Sequence, residues 1–165
     1  METTIRPYTP NDLEALLETI NYNILNATAL YDYNPRTAAQ QVQLFEDKLH
    51  KGFPIFVATQ GKTVVGFGYY GEFRFREAYR FTVEHSVYTH PDWQGKGIGK
   101  ALLTALINSA RANGFHTMIG VIDAENTGSI AFHERMGFEV KGILKETGFK
   151  FDRWLHSVFV QLLLN

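Results

Sequence analysis

Four stretches of the chain repeat apolar side chains at helical spacing, and seven cluster or alternate them in the manner of strands. Leu13, Leu16, Leu17 and Ile20 line one helix face, and Thr9-Pro10-Asn11-Asp12 ahead of them supplies helix-start chemistry, which predicts a first helix over about 11–25. A second is predicted over 37–50, with Val42, Phe45 and Leu49 on its apolar face and Gly52 as its stop. Residues 97–113 and 127–136 complete the helices, each closed by a glycine, Gly114 and Gly137. Strands are predicted at 5–8, 53–59, 64–70, 79–88, 116–122, 138–144 and 151–164, with Gln60-Gly61-Lys62 as the turn of a hairpin. The order strand, helix, helix, three strands, helix, strand, helix, two strands implies an α/β domain: a mixed sheet of about seven strands with helices on both faces.

Length and composition narrow the picture. A chain of 165 residues is about one domain, so 1–165 is read as a single unit without linker or repeat. Sixteen basic residues against 17 acidic ones leave a formal net charge of −1, so no global field favours nucleic acid or an anionic membrane, and a phosphate-bearing ligand must be held locally. With no cysteine there is neither a disulfide, a thiolate metal site nor a cysteine nucleophile. No leader or membrane-spanning run is apparent, which makes the cytoplasm the expected location.

One segment carries ligand chemistry by itself. Val87-Tyr88-Thr89 leads through His90-Pro91-Asp92-Trp93 into Gln94-Gly95-Lys96-Gly97-Ile98-Gly99-Lys100, a strand running through a glycine-rich turn into a helix. Glycines at alternate positions let an anion approach the backbone, and free N–H groups of the first helical turn can point at it; Lys96 and Lys100 add charge beside the positive end of the helix dipole. The spacing is neither that of a Walker loop nor that of a dinucleotide fingerprint.

Gln94 to Gly99 resembles the Gln/Arg-x-x-Gly-x-Gly/Ala signature of the GNAT acyltransferases. Thr82-Val83-Glu84-His85-Ser86-Val87-Tyr88, Asn126 through Phe138, and Gly148-Phe149-Lys150 extend the likeness to nearly the whole chain, and to the phosphinothricin N-acetyltransferase branch in particular. The resemblance implies the GNAT fold, with the strands ending at Tyr88 and Ile122 splayed apart around the pantetheine arm. It implies acetyl-coenzyme A as cosubstrate, with no metal, its pyrophosphate at Gln94, Gly95, Lys96, Gly97, Ile98, Gly99 and Lys100. Val87, Tyr88 and Thr89 would run beside the pantetheine amides, and Asn126 and Ser129 would bind the same arm or cap the helix that follows.

Acetyl transfer to an amine needs a neutral nitrogen, and a lysine-like amine is neutral in roughly one molecule in two thousand at pH 7, so a base is useful. Strand alternation puts Thr82, Glu84, Ser86 and Tyr88 on one face and Val83, His85 and Val87 on the other. Glu84 by itself reads equally well as a strand carboxylate or a base; the resemblance gives it the general-base position, acting through water. His133 stands seven residues after Asn126, where many relatives of the family place the tyrosine that protonates the thiolate, and a histidine is chemically able to do so. By itself it reads as a helix histidine beside Arg135. His85, turned away from Glu84, is expected to pack in the core, and no histidine spacing suggests a metal site.

Upstream of Glu84, residues 74–81 alternate arginines with aromatics. Arg76, Tyr79 and, with less support, Arg74 are the candidates for holding an acceptor carboxylate and enclosing its side chain, the first two because Arg-x-Ala-Tyr-x-x-Thr-x-Glu matches the family segment. Tyr31 and Tyr33 read as either pocket walls or packing. The expected activity is N-acetylation of a small amino-acid-like amine by direct attack; a peptide, lysine or polyamine acceptor, or an idle coenzyme-A-binding sensor, are the alternatives. The apolar run Val158–Leu164 offers a strand for pairing across a homodimer.

Overall fold

The computed structural model describes residues 2–165. Seven strands, β1 (Thr3–Pro7), β2 (Ile55–Gln60), β3 (Thr63–Glu72), β4 (Thr82–Thr89), β5 (Thr117–Asp123), β6 (Glu139–Lys150) and β7 (Arg153–Leu163), form one sheet in the order β1-β2-β3-β4-β5-β7-β6. All neighbours are antiparallel except β4 and β5. The helices are α1 (Leu13–Asn26), α2 (Ala38–His50), α3 (Ile98–Ala112) and α4 (Thr127–Arg135). α1 and α2 cover one face, where Leu16, Ile20, Ile24 and Phe45 pack on Ile55, Val57, Phe67 and Tyr88. α3 covers the other, with Leu103, Leu106 and Ile107 against Tyr70, Val83 and Met118, and α4 adds Ile130 and Phe132. The family fold is therefore present as the resemblance implied.

Local chemistry explains the boundaries. Thr37 accepts from the Gln40 amide at 3.2 Å while Gln40 Oε1 accepts from the Thr37 amide at 2.9 Å, a reciprocal cap that starts α2. Asn126 Oδ1 accepts from the Ser129 amide at 3.1 Å and starts α4. Phe151 and Asp152 both take positive φ, 53° and 56°, which is the two-residue turn that suits the twist of the β6–β7 hairpin.

Four expectations need correction. The strand expected from Tyr79 begins at Thr82, because Glu77–Tyr79 closes a single 3-10 turn instead. The strand expected to stop at Leu144 continues to Lys150, with irregularities between Val140 and Gly142 and between Leu144 and Gly148 that break the alternation while keeping the pairing to β7. On α2 the buried positions are Gln41 and Phe45, and Leu49 is 46% exposed. Finally, β7 lies between β5 and β6, so Val158–Gln161 are paired on both edges and have none to offer a second copy. Among the described residues no helix is long and apolar enough to cross a membrane.

Candidate active site

The parallel ladder between β4 and β5 is short. It runs Thr82↔Thr117, Val83↔Met118, Glu84↔Ile119 and ends there, although β4 continues to Thr89 and β5 to Asp123. β3 stays paired to β4 as far as Thr89, so His85–Thr89 keep one bonded edge and leave the other facing a gap. That edge, which includes Val87, Tyr88 and Thr89, is the kind to which an extended amide chain adds as a strand.

At the wide end of the gap stands the N-terminus of α3. Gly95 and Gly97 have φ of 74° and 79°, a conformation that side chains resist, and nothing lies within 4 Å of the point where a Cβ on either would stand. Gly97 is the residue before the helix and provides no side-chain cap, so the first-turn amides of Ile98, Gly99 and Lys100 are free for an anion. Ile98 buries its side chain and can offer only its amide. Lys96 folds back over the Trp93 ring, 4.4 Å from its centroid, and donates to the Asp92 carbonyl at 3.2 Å, while Lys100 is exposed at the helix start. Asn126 and Ser129, at the start of α4, face the same side of the sheet as α3. Open glycines, uncapped amides and the parted strands fit a pyrophosphate followed by a pantetheine arm.

Glu84 sits at the last rung before β4 and β5 part, on the α1/α2 face. It is half-buried, and burial raises its carboxyl pKa, opposed by the positive charges of Arg74 and, next, Lys48. Glu72, Phe73, Arg74, Phe75, Arg76 and Tyr79 line a cavity of about 720 Å³, so the three acceptor-site candidates are brought together. Phe73 and Tyr79 meet edge-on at 5.7 Å. Arg74 and Arg76 lie over Phe73 and Phe75, at 5.1 and 4.8 Å. Of the two, Arg74 is the one whose charge reaches Glu84.

His133 is not brought to Glu84, because it lies on the opposite face of β4. Instead His133 Nε2 meets His85 Nε2 at 2.9 Å, correcting the expectation that His85 merely packs. His133 Nδ1 faces the Ser129 carbonyl at 2.7 Å and lies 3.5 Å from the Ser129 hydroxyl, and His85 Nδ1 faces the Ile119 carbonyl at 3.1 Å. Both rings are buried against Phe138. Three contacts ask for three N–H groups and two neutral imidazoles supply two. Burial, then the neighbouring His133, pushes the His85 pKa down to about 3, and burial lowers that of His133. The pair is therefore neutral at pH 7. Whichever ring nitrogens carry the two protons, one of the three contacts is left without a donor.

Space for this pair comes from Gly120. A Cβ there would stand 2.7 Å from His85 Cε1 and 2.9 Å from Val160 Cγ2. Gly120→Ala is accordingly expected to cost about 1–3 kcal/mol of stability by overpacking. Urea denaturation of the two proteins measures this, and an unchanged midpoint would mean that the rings yield without loss.

Several contributors escaped the sequence reading. Lys48, on α2, has its ammonium 4.5 Å from the Tyr69 ring centroid and 5.7 Å from that of Phe53. Its signal was its place three residues after Phe45, on the inner side of the helix. Lys150 is buried and donates to the carbonyls of Ala27 and Leu30 at 2.7 and 2.6 Å. Tyr31 bonds Ser157 at 3.3 Å, Tyr33 donates to the Phe149 carbonyl and Thr28 to Asp123, so the loop of residues 27–36 is fastened to β5, β6 and β7. Tyr31 and Tyr33 thus serve at least to hold that loop.

The sequence model of the Acetyltransferase (GNAT) family matches residues 19–138. An L-methionine sulfoximine/L-methionine sulfone acetyltransferase of Pseudomonas aeruginosa is 41% identical over 166 aligned residues, which cover 100% of this chain and 96% of that protein. The crystal structure of an N-acetyltransferase from Staphylococcus aureus Mu50 superposes with a TM-score of 0.98 at 40% identity, covering 100% of both chains. A phosphinothricin acetyltransferase from Sinorhizobium meliloti, solved in complex with AcCoA, gives 0.96 at 41% identity over 100% of this chain and 90% of the other. The glycine turn, the parted strands and these likenesses agree: the chain belongs to the GNAT family of acetyltransferases.

Proposed function

We propose that residues 1–165 work as one catalytic domain that moves the acetyl group of acetyl-coenzyme A to the primary amine of a small amino-acid-like acceptor of the methionine sulfone, methionine sulfoximine or phosphinothricin type. The observation that carries this reading is the position of Glu84. A half-buried carboxylate stands where β4 and β5 begin to part, on the sheet face where Arg74 adds its charge. The names of the relatives support the acceptor class.

In this reading the free amides of Ile98, Gly99 and Lys100, with Gln94, Gly95, Lys96 and Gly97 around them, hold the pyrophosphate. Val87, Tyr88, Thr89, Asn126 and Ser129 guide the arm into the gap. Glu84, ionised, takes a proton from the amine directly or through water, and the freed nitrogen attacks the thioester carbonyl. The C–N bond forms as the C–S bond breaks. The nitrogen sheds its second proton as it becomes an amide, and the departing thiolate takes one up; His133, on the other face with the Ser129 hydroxyl 3.5 Å from its Nδ1, is the residue assigned to deliver that proton. Arg76 and Arg74 hold the acceptor carboxylate, and Tyr79 forms a wall.

Release of free thiol from acetyl-coenzyme A, measured across a panel of amines, tests the proposal. Methionine sulfone, methionine sulfoximine and phosphinothricin are expected to give higher kcat/KM than their carboxamides, spermidine or a lysine peptide. Preference for spermidine or the peptide would reject the acceptor class. Cofactor binding without thiol release for any amine would reject catalysis.

A further inference from the structure

The sheet face that carries Glu84 also carries a cation with no carboxylate in contact. Lys48 reaches from α2 to β3, where its ammonium lies 3.4 Å from the Tyr70 carbonyl and over the Tyr69 ring. It stands 2.5 Å from the point a Cβ on Gly71 would occupy. Gly71 is the cross-strand partner of Glu84. Directly opposed residues of an antiparallel pair send their side chains to the same face, with Cβ atoms about 4.5–5.5 Å apart. The ammonium of Lys48 therefore fills the place of the missing Gly71 side chain, beside that of Glu84.

The surrounding charges leave this relation in place. Lys51 is paired with Glu72 at 3.5 Å and Arg36 with Asp32 at 2.9 Å, whereas Lys48 is in no ion pair within 4 Å among the described residues. Arg36, Asp47, Lys51, Tyr69 and Glu72 line the same cavity of about 360 Å³ as Lys48. Arg74 bears on Glu84 from the loop after β3.

We propose that Lys48 is a positioning residue that works through Glu84: across the opening left by Gly71, its ammonium adds to the charge of Arg74 in keeping the carboxylate ionised, and so extends toward acid the pH range in which the enzyme can accept the amine proton. This rests on the reading of Glu84 as the base. Physical coupling runs both ways between the two groups. Burial and the charge of Lys51 lower the Lys48 pKa, while Glu72 and Glu84 raise it. Burial raises Glu84, and Arg74 and Lys48 pull it back. Removing the Lys48 charge leaves burial less opposed, so the Glu84 pKa moves up. A base is active only when deprotonated, so the loss appears on the acid side and vanishes well above the new pKa.

The test compares wild type with Lys48→Met, Lys48→Arg and Gly71→Ala, the last placing a methyl where the ammonium lies without removing any charge. The acid limb of kcat/KM is expected to move up by about one pH unit in Lys48→Met, a loss of about tenfold below the limb, and in the same direction in Gly71→Ala. Lys48→Arg should stay near wild type, and calorimetric affinity for acetyl-coenzyme A should not change. Carbon-13 titration of the glutamate carboxyls in the free proteins reads Glu84 without reference to activity. An unmoved Glu84 titration in folded Lys48→Met overturns the inference alone. A moved titration with an unmoved kinetic limb rejects Glu84 as the base, and the inference with it. Should Lys48→Met fail to fold, Lys48→Gln and Gly71→Ala decide the question by the same two readouts.

Discussion

Glu84→Gln is expected to lower kcat by about 10²-fold at pH 7 while leaving the fold and the affinity for acetyl-coenzyme A intact. The amide keeps the shape of the carboxylate and removes only its capacity to take a proton. Wild-type activity should fall as pH drops through a Glu84 pKa that burial holds above the ordinary carboxylate value. In the variant that limb should be absent. Its residual rate should instead climb as pH rises toward the amine pKa, because the acceptor then loses its proton to water unaided. The gap between the two proteins therefore closes in alkali. Steady-state pH–rate profiles check this, and wild-type turnover in the variant at pH 7 would place proton removal elsewhere.

The second large effect is expected at the glycine turn. Gly99→Val should weaken binding of acetyl-coenzyme A at least tenfold, because branched methyls would stand where phosphate oxygens approach the first-turn amides; each charge-assisted hydrogen bond lost costs about 1.5–3 kcal/mol. Gly99 is a cleaner site than Gly97. A Cβ there has ordinary neighbours, Phe132 Cζ at 3.8 Å and Thr89 Oγ1 at 4.0 Å, whereas Gly97 has φ of 79°, so a substitution there confounds backbone strain with lost binding. Valine in place of glycine in a helix carries little propensity cost, so the protein should fold. Calorimetric titration reads the affinity and a melting curve the stability. Unchanged affinity in a folded variant would remove the cradle.

The parts of this site that could be read beforehand are those with local causes. Glycines two residues apart followed at once by a helical pattern define the α3 entry with no reference to the rest of the chain. Strand alternation put Glu84 and His85 on opposite faces, and their neighbours on those faces, Lys48 and His133, agree. The three residues of the Arg74–Tyr79 segment meet because they belong to one loop.

What stayed hidden depends on packing between distant segments. The inner side of α2 is turned by about one residue from the apolar pattern, since Gln41 is buried where Arg36 donates to its Oε1 at 3.1 Å, and Lys48 lays its stem against Phe53 and Tyr69. Long polar side chains can occupy inner positions when their heads find partners, and a count of apolar residues passes over them. His85 gains a role only from His133, 48 residues later. The apolar run at 158–164 suits an edge or an interior strand equally well, and only the path of the chain, which inserts β7 between β5 and β6, makes it interior.

The fastening of residues 27–36 has a consequence for how the molecule is made. Its ties to Asp123 and Ser157 span 95 and 126 residues of chain, and those from Lys150 span 123 and 120. Such contacts repay their closure entropy only late, after the segments between them have ordered. During synthesis α1 and α2 emerge early, yet the loop between them lacks its anchors on β6 and β7 until the final hairpin has left the ribosome. Loss of the last twenty residues would take β7 out of the middle of the sheet, with the buried Val158 and Val160, and with it the anchors of a loop near the opposite end of the sequence.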